Sequence, residues 1–240
     1  ASDFYHVVRT NLRYSLSSSG KGRVFLLTSA GPTEGKSTTV SNLGTCIARA
    51  GGGGEQQVVV VDADLRRPNL HKLLNCSNEV GLTSLLVGET ESLEEVLQPA
   101  QLDGLRVLPS GPISPRPAEL LGSRRMVNLI KQLSELADDV LVDSPPVLAG
   151  PDVSILASMV TGVVFIAELH RTRLRAVARA LKLIANAGGT VLGFVVIGLD
   201  LRQRGYYYYS HYSASRSEEA DKGKGIRRFF PWHRRKRKSR

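Results

Sequence analysis

The stretch "GRVFLLTSAGPTEGKSTT" constrains the fold more than any other, because an apolar run turns through a glycine-rich loop into a helical pattern. Residues 22–30 predict a buried strand, and "KSTTVSNLGTCIARA" predicts the helix that follows. Such a turn directs several backbone N–H groups and a helix N-terminus at one point, and this arrangement favours the binding of a phosphate group. Gly35 allows close backbone approach, Lys36 can reach the β and γ oxygens, and the Ser37 hydroxyl is a ligand for Mg²⁺.

The loop departs from the usual phosphate-binding pattern at its start. The pattern has its first glycine at position 30, whereas this chain has Ala30 there and its glycine one place later, at Gly31. A glycine-rich turn with a chance lysine is the alternative interpretation. The flanking strand and helix favour a nucleotide-binding P-loop. The predicted nucleotide-binding residues are Gly31, Thr33, Glu34, Gly35, Lys36, Ser37 and Thr38.

Further strands and helices alternate along the chain. Apolar runs of five to seven residues, without strict alternation, predict strands covered on both faces, and hence an α/β fold with a mostly parallel sheet and helices on both sides. The predicted strands after the first are 56–64, 105–110, 138–146, 161–168 and 190–200. Helices are predicted at 123–137 and 172–187. The second has an apolar stripe of Leu174, Val177, Ala178, Leu181 and Ile184.

Aspartates follow two of these strands: Asp62 and Asp64 in "VVVVDADLRRP", and Asp143 in "VLVDSPP". Parallel strands end at one edge of a sheet, where α/β folds bind ligands, so we expect the three carboxylates to meet the P-loop. Any one of them alone has an equally good explanation as a helix cap. Together they predict Mg²⁺ ligation by Ser37, Asp62 and Asp143, with one carboxylate left to accept a proton.

The positive charge of the chain lies at its C-terminus. Residues 222–240 hold ten Lys or Arg and no Asp or Glu, which leaves 22 cations and 22 acids in residues 1–221. This basic tail also carries Phe229, Phe230 and Trp232, a combination that suits an anionic membrane surface or nucleic acid, or a solvated terminus with no partner. The residues alone leave these three interpretations open, and the family resemblance described below favours the membrane surface over nucleic acid. No apolar run approaches the roughly 18 to 20 residues of a transmembrane helix.

Five of the seven tyrosines lie in "GYYYYSHY", residues 205–212, between polar, turn-prone flanks. A final β-strand is the alternative to a flexible segment. If the last strand is parallel to the first, six extended residues beyond Asp200 span roughly 20 Å, enough to approach the phosphate site. The predicted phosphate acceptors are Tyr206, Tyr207, Tyr208, Tyr209 and Tyr212.

The set "TSAGPTEGKSTT", "VVVVDADLRRP" and "VLVDSPP" resembles the Walker motifs of bacterial tyrosine kinases, regulators of capsule and exopolysaccharide export. The resemblance covers most of the chain. It implies that residues 35–38 bind ATP phosphates and Mg²⁺, and that Lys36, Asp62, Asp64 and Asp143 form the catalytic set. Asp62 would orient or deprotonate the acceptor hydroxyl, Asp64 would join the metal shell, and Asp143 would be the Walker B ligand.

The resemblance also implies partners: a transmembrane polysaccharide co-polymerase or activator, a cognate tyrosine phosphatase, and further copies of the chain. It places the protein in the cytoplasm at the inner face of the plasma membrane, which agrees with the two cysteines being reduced thiols. The implied organisation is an N-terminal oligomerisation helix (1–20), a P-loop kinase domain (21–204), the tyrosine cluster with a linker (205–221) and the basic tail (222–240).

Two motifs of the family are altered here. Its Glu-x-x-Arg-x-x-Arg oligomerisation motif stands as Asp3, His6 and Arg9, and its adenine-binding asparagine is Ile197. The rival class is a partition or MinD-like switch ATPase, which carries an extra lysine where this chain has Gly31. The expected activity is therefore ATP-dependent autophosphorylation on tyrosine. The alternatives are that switch ATPase and an ATP-dependent membrane- or nucleic-acid-binding module.

Overall fold

The computed structural model describes residues 2–15, 22–52 and 56–199, which contain one seven-stranded sheet. Its strands are β1 Arg23–Ser29, β2 Val58–Asp62, β3 Gln98–Pro99, β4 Leu105–Leu108, β5 Asp139–Asp143, β6 Gly162–Glu168 and β7 Val191–Ile197. They lie in the order β3-β4-β2-β5-β1-β6-β7. All neighbouring pairs are parallel except β3 with β4. The predicted α/β fold is confirmed.

Helices cover both faces of this sheet. They are α1 Ser2–Tyr14, α2 Lys36–Ala50, α3 Leu70–Leu73, α4 Leu82–Val87, α5 Leu93–Val96, α6 Pro117–Leu121, α7 Arg124–Leu136, α8 Asp152–Ala157 and α9 Leu174–Asn186. Side chains alternate between two apolar clusters: Val59 and Val61 of β2 face the helices α4 and α6 to α9, whereas Val58 and Val60 face α1 to α3. Burial on both sides explains the unbroken apolar runs in the sequence.

The ends of the predicted strands agree with those observed to within three residues, and α2 has its predicted bounds. The antiparallel strand β3 was not predicted, because a two-residue strand containing Pro99 has no periodicity to detect. Within the described ranges, no helix is long and apolar enough to cross a membrane.

The apolar stripe predicted for α9 was partly wrong. Leu174 is 86% exposed and Ala178 is also exposed, whereas Ala180 and Ile184 are fully buried. The buried face of α9 is therefore rotated about the helix axis relative to the predicted stripe, because a buried alanine contributes little to a hydrophobic pattern. The face opposite the core carries Arg175, Arg179 and Lys182.

The helix predicted in residues 1–20 is α1, and it packs on α2. The Arg13 guanidinium donates to Gln56 Oε1 at 2.7 Å, and Gln56 Nε2 donates to Asp139 Oδ2 at 2.7 Å. Asp139 also forms an ion pair with Arg23, with 2.7 Å between the charged atoms. This network attaches α1 to the amino edge of the sheet, the edge away from the P-loop.

Candidate nucleotide-binding site

The P-loop lies at the carboxyl end of β1, which neighbours the central strand β5. Gly35 precedes α2 in the left-handed region, with φ 73°, a conformation that glycine adopts without strain. A Cβ at Gly35 would lie 2.5 Å from Ile197 Cδ1, at the end of β7. The loop therefore has a cradle that a side chain at position 35 would disrupt. The predicted parallel orientation of β1 and the last strand is confirmed, since β6 pairs in parallel with both β1 and β7.

Two residues that sequence reasoning missed, Arg171 and Thr172, support this loop from the turn after β6. The Thr172 hydroxyl donates to Glu34 Oε1 at 2.7 Å, and the Gly31 N–H donates to Glu34 Oε2 at 2.9 Å. The Arg171 guanidinium donates to the carbonyl oxygen of Thr33 at 3.2 Å and also to its hydroxyl. The available signal was their position just after a buried strand that ends at the P-loop edge.

The predicted loop residues differ in burial and in hydrogen bonding. Glu34 is almost fully buried and its carboxylate is engaged within the loop, whereas Thr33 adopts φ 57°, which is uncommon for a β-branched residue. Arg171 compensates by bonding to Thr33. Thr38, in the first turn of α2, remains exposed, and Ser37 is half-buried.

Lys36 is 7% exposed, at the start of α2. Burial lowers the pKa of its ammonium group, and the negative charges of Asp143, Asp64 and Glu34 oppose that change. A cation held in a partly desolvated site among carboxylates is well placed to neutralise an incoming anion.

Asp143 ends the central strand β5, beside Asp62 of β2 and Leu27 of β1. Its carboxyl group is fully buried. Burial raises its pKa well above the usual range, and the charge of Asp62 adds to the rise. The Ser37 hydroxyl and the Lys36 ammonium oppose it. Neither carboxylate oxygen accepts a hydrogen bond of ordinary geometry from the described residues.

Asp62 differs from Asp143, because backbone N–H groups donate hydrogen bonds to one of its carboxylate oxygens. Its Oδ2 accepts from the N–H groups of Asn69 and Leu70, at 3.0 and 2.9 Å. Its Oδ1 accepts only a long bond, 3.3 Å, from Asp64 N. Burial raises the pKa of Asp62 to about 6 despite these bonds. The interpretation of a strand-end aspartate as a helix cap therefore applies to Asp62 and not to Asp143. The capping bonds orient the Asp62 carboxylate and leave one of its oxygens largely free.

The loop after β2 is fastened to the loop after β5. The half-buried Asp64 accepts from Arg67 N at 3.0 Å, which shapes a turn. The guanidinium of Arg66 contacts both carboxylate oxygens of Asp152, with its Nη2 3.0 Å from Oδ2. Asp152 is buried at the start of α8, so this ion pair joins the segments that carry Asp62 and Asp143.

The donor set fits a nucleotide with Mg²⁺. Neither buried oxygen of Asp143, which lies near Ser37 and Lys36, accepts a hydrogen bond of ordinary geometry from the residues that the structure describes, and a hard divalent cation would satisfy such oxygens. Among the described residues, no three His, Cys, Asp or Glu side chains could by themselves hold a metal. Phosphate oxygens, Ser37 and water would have to complete the shell, which is usual for Mg²⁺.

The predicted acceptors Tyr206, Tyr207, Tyr208, Tyr209 and Tyr212 lie outside the described residues, as do the linker and the basic tail. Their roles stay predictions, as do the catalytic and binding roles assigned to the P-loop and the three aspartates. The structure does bring Lys36, Asp62, Asp64 and Asp143 within mutual electrostatic influence at one edge of the sheet.

Comparison with known proteins agrees with this geometry. The ParA family model, described as NUBPL iron-transfer P-loop NTPase, matches residues 19–197. The tyrosine-protein kinase YwqD of Bacillus subtilis is 36% identical over 208 residues, which cover 87% of this chain and 85% of YwqD. Several longer relatives are covered over only 26% or 27% of their length.

Solved structures divide into nearer and more distant neighbours. The kinase domain of Escherichia coli tyrosine kinase ETK superposes with a TM-score of 0.79 at 30% identity, covering 87% of this chain and 80% of that domain. The cell division ATPase MinD of Pyrococcus furiosus gives 0.62 at 26%, covering 73% and 71%.

Fold and site thus define a P-loop NTPase with a nucleotide site at the carboxyl edge of its sheet. Within that class the chain belongs to the bacterial tyrosine-protein kinases. The recognition made from the Walker-type motifs is confirmed.

Proposed function

We propose that this protein is an ATP- and Mg²⁺-dependent tyrosine autokinase that phosphorylates its own C-terminal tyrosine cluster and thereby regulates polysaccharide synthesis and export. The observation that carries the proposal is the fully buried Asp143 carboxylate, beside Lys36 and Asp62 at the P-loop, whose oxygens accept no hydrogen bond of ordinary geometry from the described residues. The class of relatives supports tyrosine, not water, as the phosphate acceptor.

Different groups of this chain would bind the phosphates and the metal ion. The P-loop backbone from Gly31 to Gly35 and the ammonium of Lys36 hold and neutralise the phosphates. Ser37 and Asp143 would hold Mg²⁺, which supplies charge neutralisation for the transferred phosphoryl group. Asp64 would contribute to the outer shell of the same metal ion.

Asp62 is the group best placed to receive the tyrosine proton. Backbone N–H groups fix its orientation through Oδ2, which leaves Oδ1, with only a long bond from Asp64 N, to accept from a substrate hydroxyl. Its pKa of about 6 keeps it ionised at neutral pH, yet basic enough to accept a proton as the phosphoryl group is transferred.

The same resemblance supports a partner set: a transmembrane co-polymerase or activator, a tyrosine phosphatase and further copies of this chain, at the inner face of the plasma membrane. The basic tail would add attraction to anionic lipid. The rival switch ATPase is disfavoured, since the MinD neighbour is structurally more distant than the ETK kinase domain.

Phosphosite mapping after incubation with Mg·ATP tests the proposal. We expect phosphotyrosine within residues 206–212 of the unaltered protein and none in Lys36→Met, because loss of the ammonium removes phosphate neutralisation. Replacing the five tyrosines by Phe should remove the phosphotyrosine and leave nucleotide affinity unchanged. ATP turnover without any phosphotyrosine in the cluster would refute the kinase assignment.

A further inference from the structure

The P-loop contains a buried carboxylate, although it is the loop that is expected to receive phosphate. Glu34 is 4% exposed and directly precedes Gly35 and Lys36. A buried carboxylate is costly unless it accepts hydrogen bonds, and a freely moving one in this loop would also repel an incoming phosphate. The loop therefore needs donors that hold the Glu34 side chain in place.

One donor comes from within the loop and one from a distant segment. The Gly31 N–H donates to Glu34 Oε2 at 2.9 Å, and the Thr172 hydroxyl donates to Oε1 at 2.7 Å. Thr172 lies 138 residues further along the chain, in the turn between β6 and α9. A hydroxyl that donates to a carboxylate forms one of the stronger hydrogen bonds in proteins.

The Thr172 hydroxyl is itself fixed in the direction of Glu34. Its oxygen accepts from the Glu168 N–H at 2.8 Å, and the Thr172 N–H donates to the Glu168 carbonyl oxygen at 2.9 Å. Because a hydroxyl has a single proton, this arrangement keeps that proton for the Glu34 carboxylate. The turn is also joined to β7, since the Leu169 N–H donates to the Ile197 carbonyl oxygen at 2.9 Å.

The same turn supports a second position of the loop. Thr33 adopts φ 57°, a conformation that costs a β-branched residue free energy and therefore needs support from its surroundings. The Arg171 guanidinium donates to the Thr33 carbonyl oxygen at 3.2 Å and to its hydroxyl, and it also forms an ion pair with Glu168 at 3.2 Å. The Arg171 side chain is 52% exposed, whereas Thr172 is half-buried, so solvent weakens the contribution of Arg171 more.

We propose that Thr172 is a positioning residue for the nucleotide: its hydroxyl, acting through the Glu34 carboxylate, holds the P-loop in the conformation that receives the phosphate groups. Arg171 adds to this support through Thr33. An ordered loop binds more tightly, since less conformational entropy is lost when the nucleotide arrives. This role rests on the proposed function only for the identity of the ligand, and it is measured by binding, without catalysis.

Loss of this support should weaken binding and leave the chemical step nearly unchanged. The P-loop would contact the phosphates both before and during phosphoryl transfer, and an interaction present in both states affects KM and not kcat. General destabilisation of the fold has a different signature, because it reduces the number of active molecules and leaves the dissociation constant of the remaining ones unchanged.

Calorimetric titration of the full chain with Mg·ADP tests the role of the hydroxyl. Thr172→Val replaces it by a methyl group, and we expect the dissociation constant to rise about tenfold, the effect of losing one hydrogen bond to a charged group. Thr172→Ser keeps a hydroxyl and should bind within about twofold of the unaltered protein. An unchanged dissociation constant in Thr172→Val, or no recovery in Thr172→Ser, overturns the proposal.

Thr10→Val is the matched control. It removes a hydroxyl that donates to the His6 carbonyl oxygen within α1, at 2.8 Å, and it should leave the affinity for Mg·ADP unchanged. A loss of affinity as large as that of Thr172→Val would show a general effect of removing a threonine hydroxyl and would overturn the proposal.

A double-mutant cycle shows whether Thr172 acts through Glu34. In a Glu34→Ala background the hydroxyl has no carboxylate to hold, so adding Thr172→Val should change the dissociation constant by less than about twofold. A further rise of about tenfold in that background would contradict a role through Glu34.

Hydrogen exchange of the protein without nucleotide gives a readout that needs no binding. The backbone amides of residues 31–37 should exchange faster in Thr172→Val than in the unaltered protein, because the loop then opens more often. The amides of α7, Arg124–Leu136, should exchange at the unaltered rate. Equal exchange of residues 31–37 in the two proteins contradicts a loop held by Thr172.

Phosphorylation kinetics separate this role from the autokinase assignment. The KM for ATP should rise about tenfold in Thr172→Val, with kcat within about twofold of the unaltered protein. A fall in kcat at unchanged KM overturns the positioning role alone. If no variant forms phosphotyrosine, yet the affinity for Mg·ADP falls in Thr172→Val and recovers in Thr172→Ser, the autokinase assignment fails and the positioning role stands.

Discussion

At the scale of single residues, the site contains two buried carboxylates in different states of satisfaction. Asp62 receives two backbone N–H groups on one oxygen, whereas the oxygens of Asp143 accept none from the described residues. The pKa of each is raised, chiefly by burial. One carboxylate is thus oriented for proton transfer, and the other is left for a cation.

The raised pKa of Asp62 predicts an acid limb in the pH profile. Because the carboxylate must be ionised to accept a proton, kcat/KM for phosphotyrosine formation should be constant above about pH 6 and fall roughly tenfold per pH unit below it. Asp62→Asn should lose most activity at every pH. A profile that stays flat down to pH 5 would rule out Asp62 as the base.

Binding of Mg·ADP should release protons near pH 6. The free protein holds protons on its buried carboxyl groups because their pKa values are raised, and a bound cation favours the ionised forms. Calorimetry in two buffers of different ionisation enthalpy measures the release. We expect a smaller release in Asp143→Asn, and an unchanged release in that variant would contradict ligation by Asp143.

The residue types of this site were predictable from the sequence, since the P-loop lysine and the strand-end aspartates have fixed places in an α/β sheet. The hydrogen bonding of these residues was not predictable from the sequence. Whether a carboxylate is capped, as Asp62 is, depends on the path of the chain seven and eight residues later. Thr172 and Arg171 reach Glu34 and Thr33 across more than 130 residues, beyond any local pattern.

At the scale of elements, loops between strands hold the site together. The turn after β6 supports the P-loop, and the Arg66–Asp152 ion pair joins the loop after β2 to α8. The strands and their mostly parallel sheet followed from the alternation of strands with helices and from the apolar runs, but α9 shows the limit of that reasoning. The sequence predicted the helix itself correctly but not the face that it buries. Ala180 lies at the centre of the buried face, yet an alanine contributes little to a hydrophobic pattern.

Loss of the Arg66 guanidinium should destabilise the protein, because the buried Asp152 carboxylate would lose its charge partner. Arg66 is 40% exposed, so we expect Arg66→Ala to lower the free energy of unfolding by only about 1–2 kcal/mol in urea titration. Arg67→Ala removes a neighbouring exposed guanidinium and should change it by less than about 0.5 kcal/mol. Equal effects of the two substitutions would contradict a structural role for the ion pair.

The P-loop cradle predicts a difference between two glycines with nearly the same backbone conformation. Gly35 and Gly52 have φ of 73° and 71°, but a Cβ at Gly35 meets Ile197, whereas one at Gly52 meets nothing within 4 Å. Gly52→Ala should cost about 1 kcal/mol of strain, and Gly35→Ala should cost more by up to about 1 kcal/mol, because the terminal methyl group of Ile197 must turn away from the new Cβ. Thermal unfolding compares them, and equal costs would show that the cradle is not closely packed.

At the scale of the whole molecule, the structure places the candidate nucleotide site at the carboxyl edge of its sheet. The last described strand, β7, ends beside the P-loop, where a Cβ at Gly35 would meet Ile197. Transfer to a neighbouring copy makes the initial rate of phosphorylation per chain rise with protein concentration. We expect that rise in dilution experiments at low salt, and a rate independent of concentration would indicate transfer within one chain.

The central claim is that phosphate passes from ATP to tyrosine, not to water. A single-turnover experiment with γ-³²P-labelled ATP, Mg²⁺ and excess protein measures how the label divides between protein phosphotyrosine and inorganic phosphate. The account predicts label on the tyrosines of residues 206–212, and none on the protein when Lys36 is replaced by Met or the cluster tyrosines by Phe. Recovery of all the hydrolysed label as inorganic phosphate, with none on tyrosine, would contradict it.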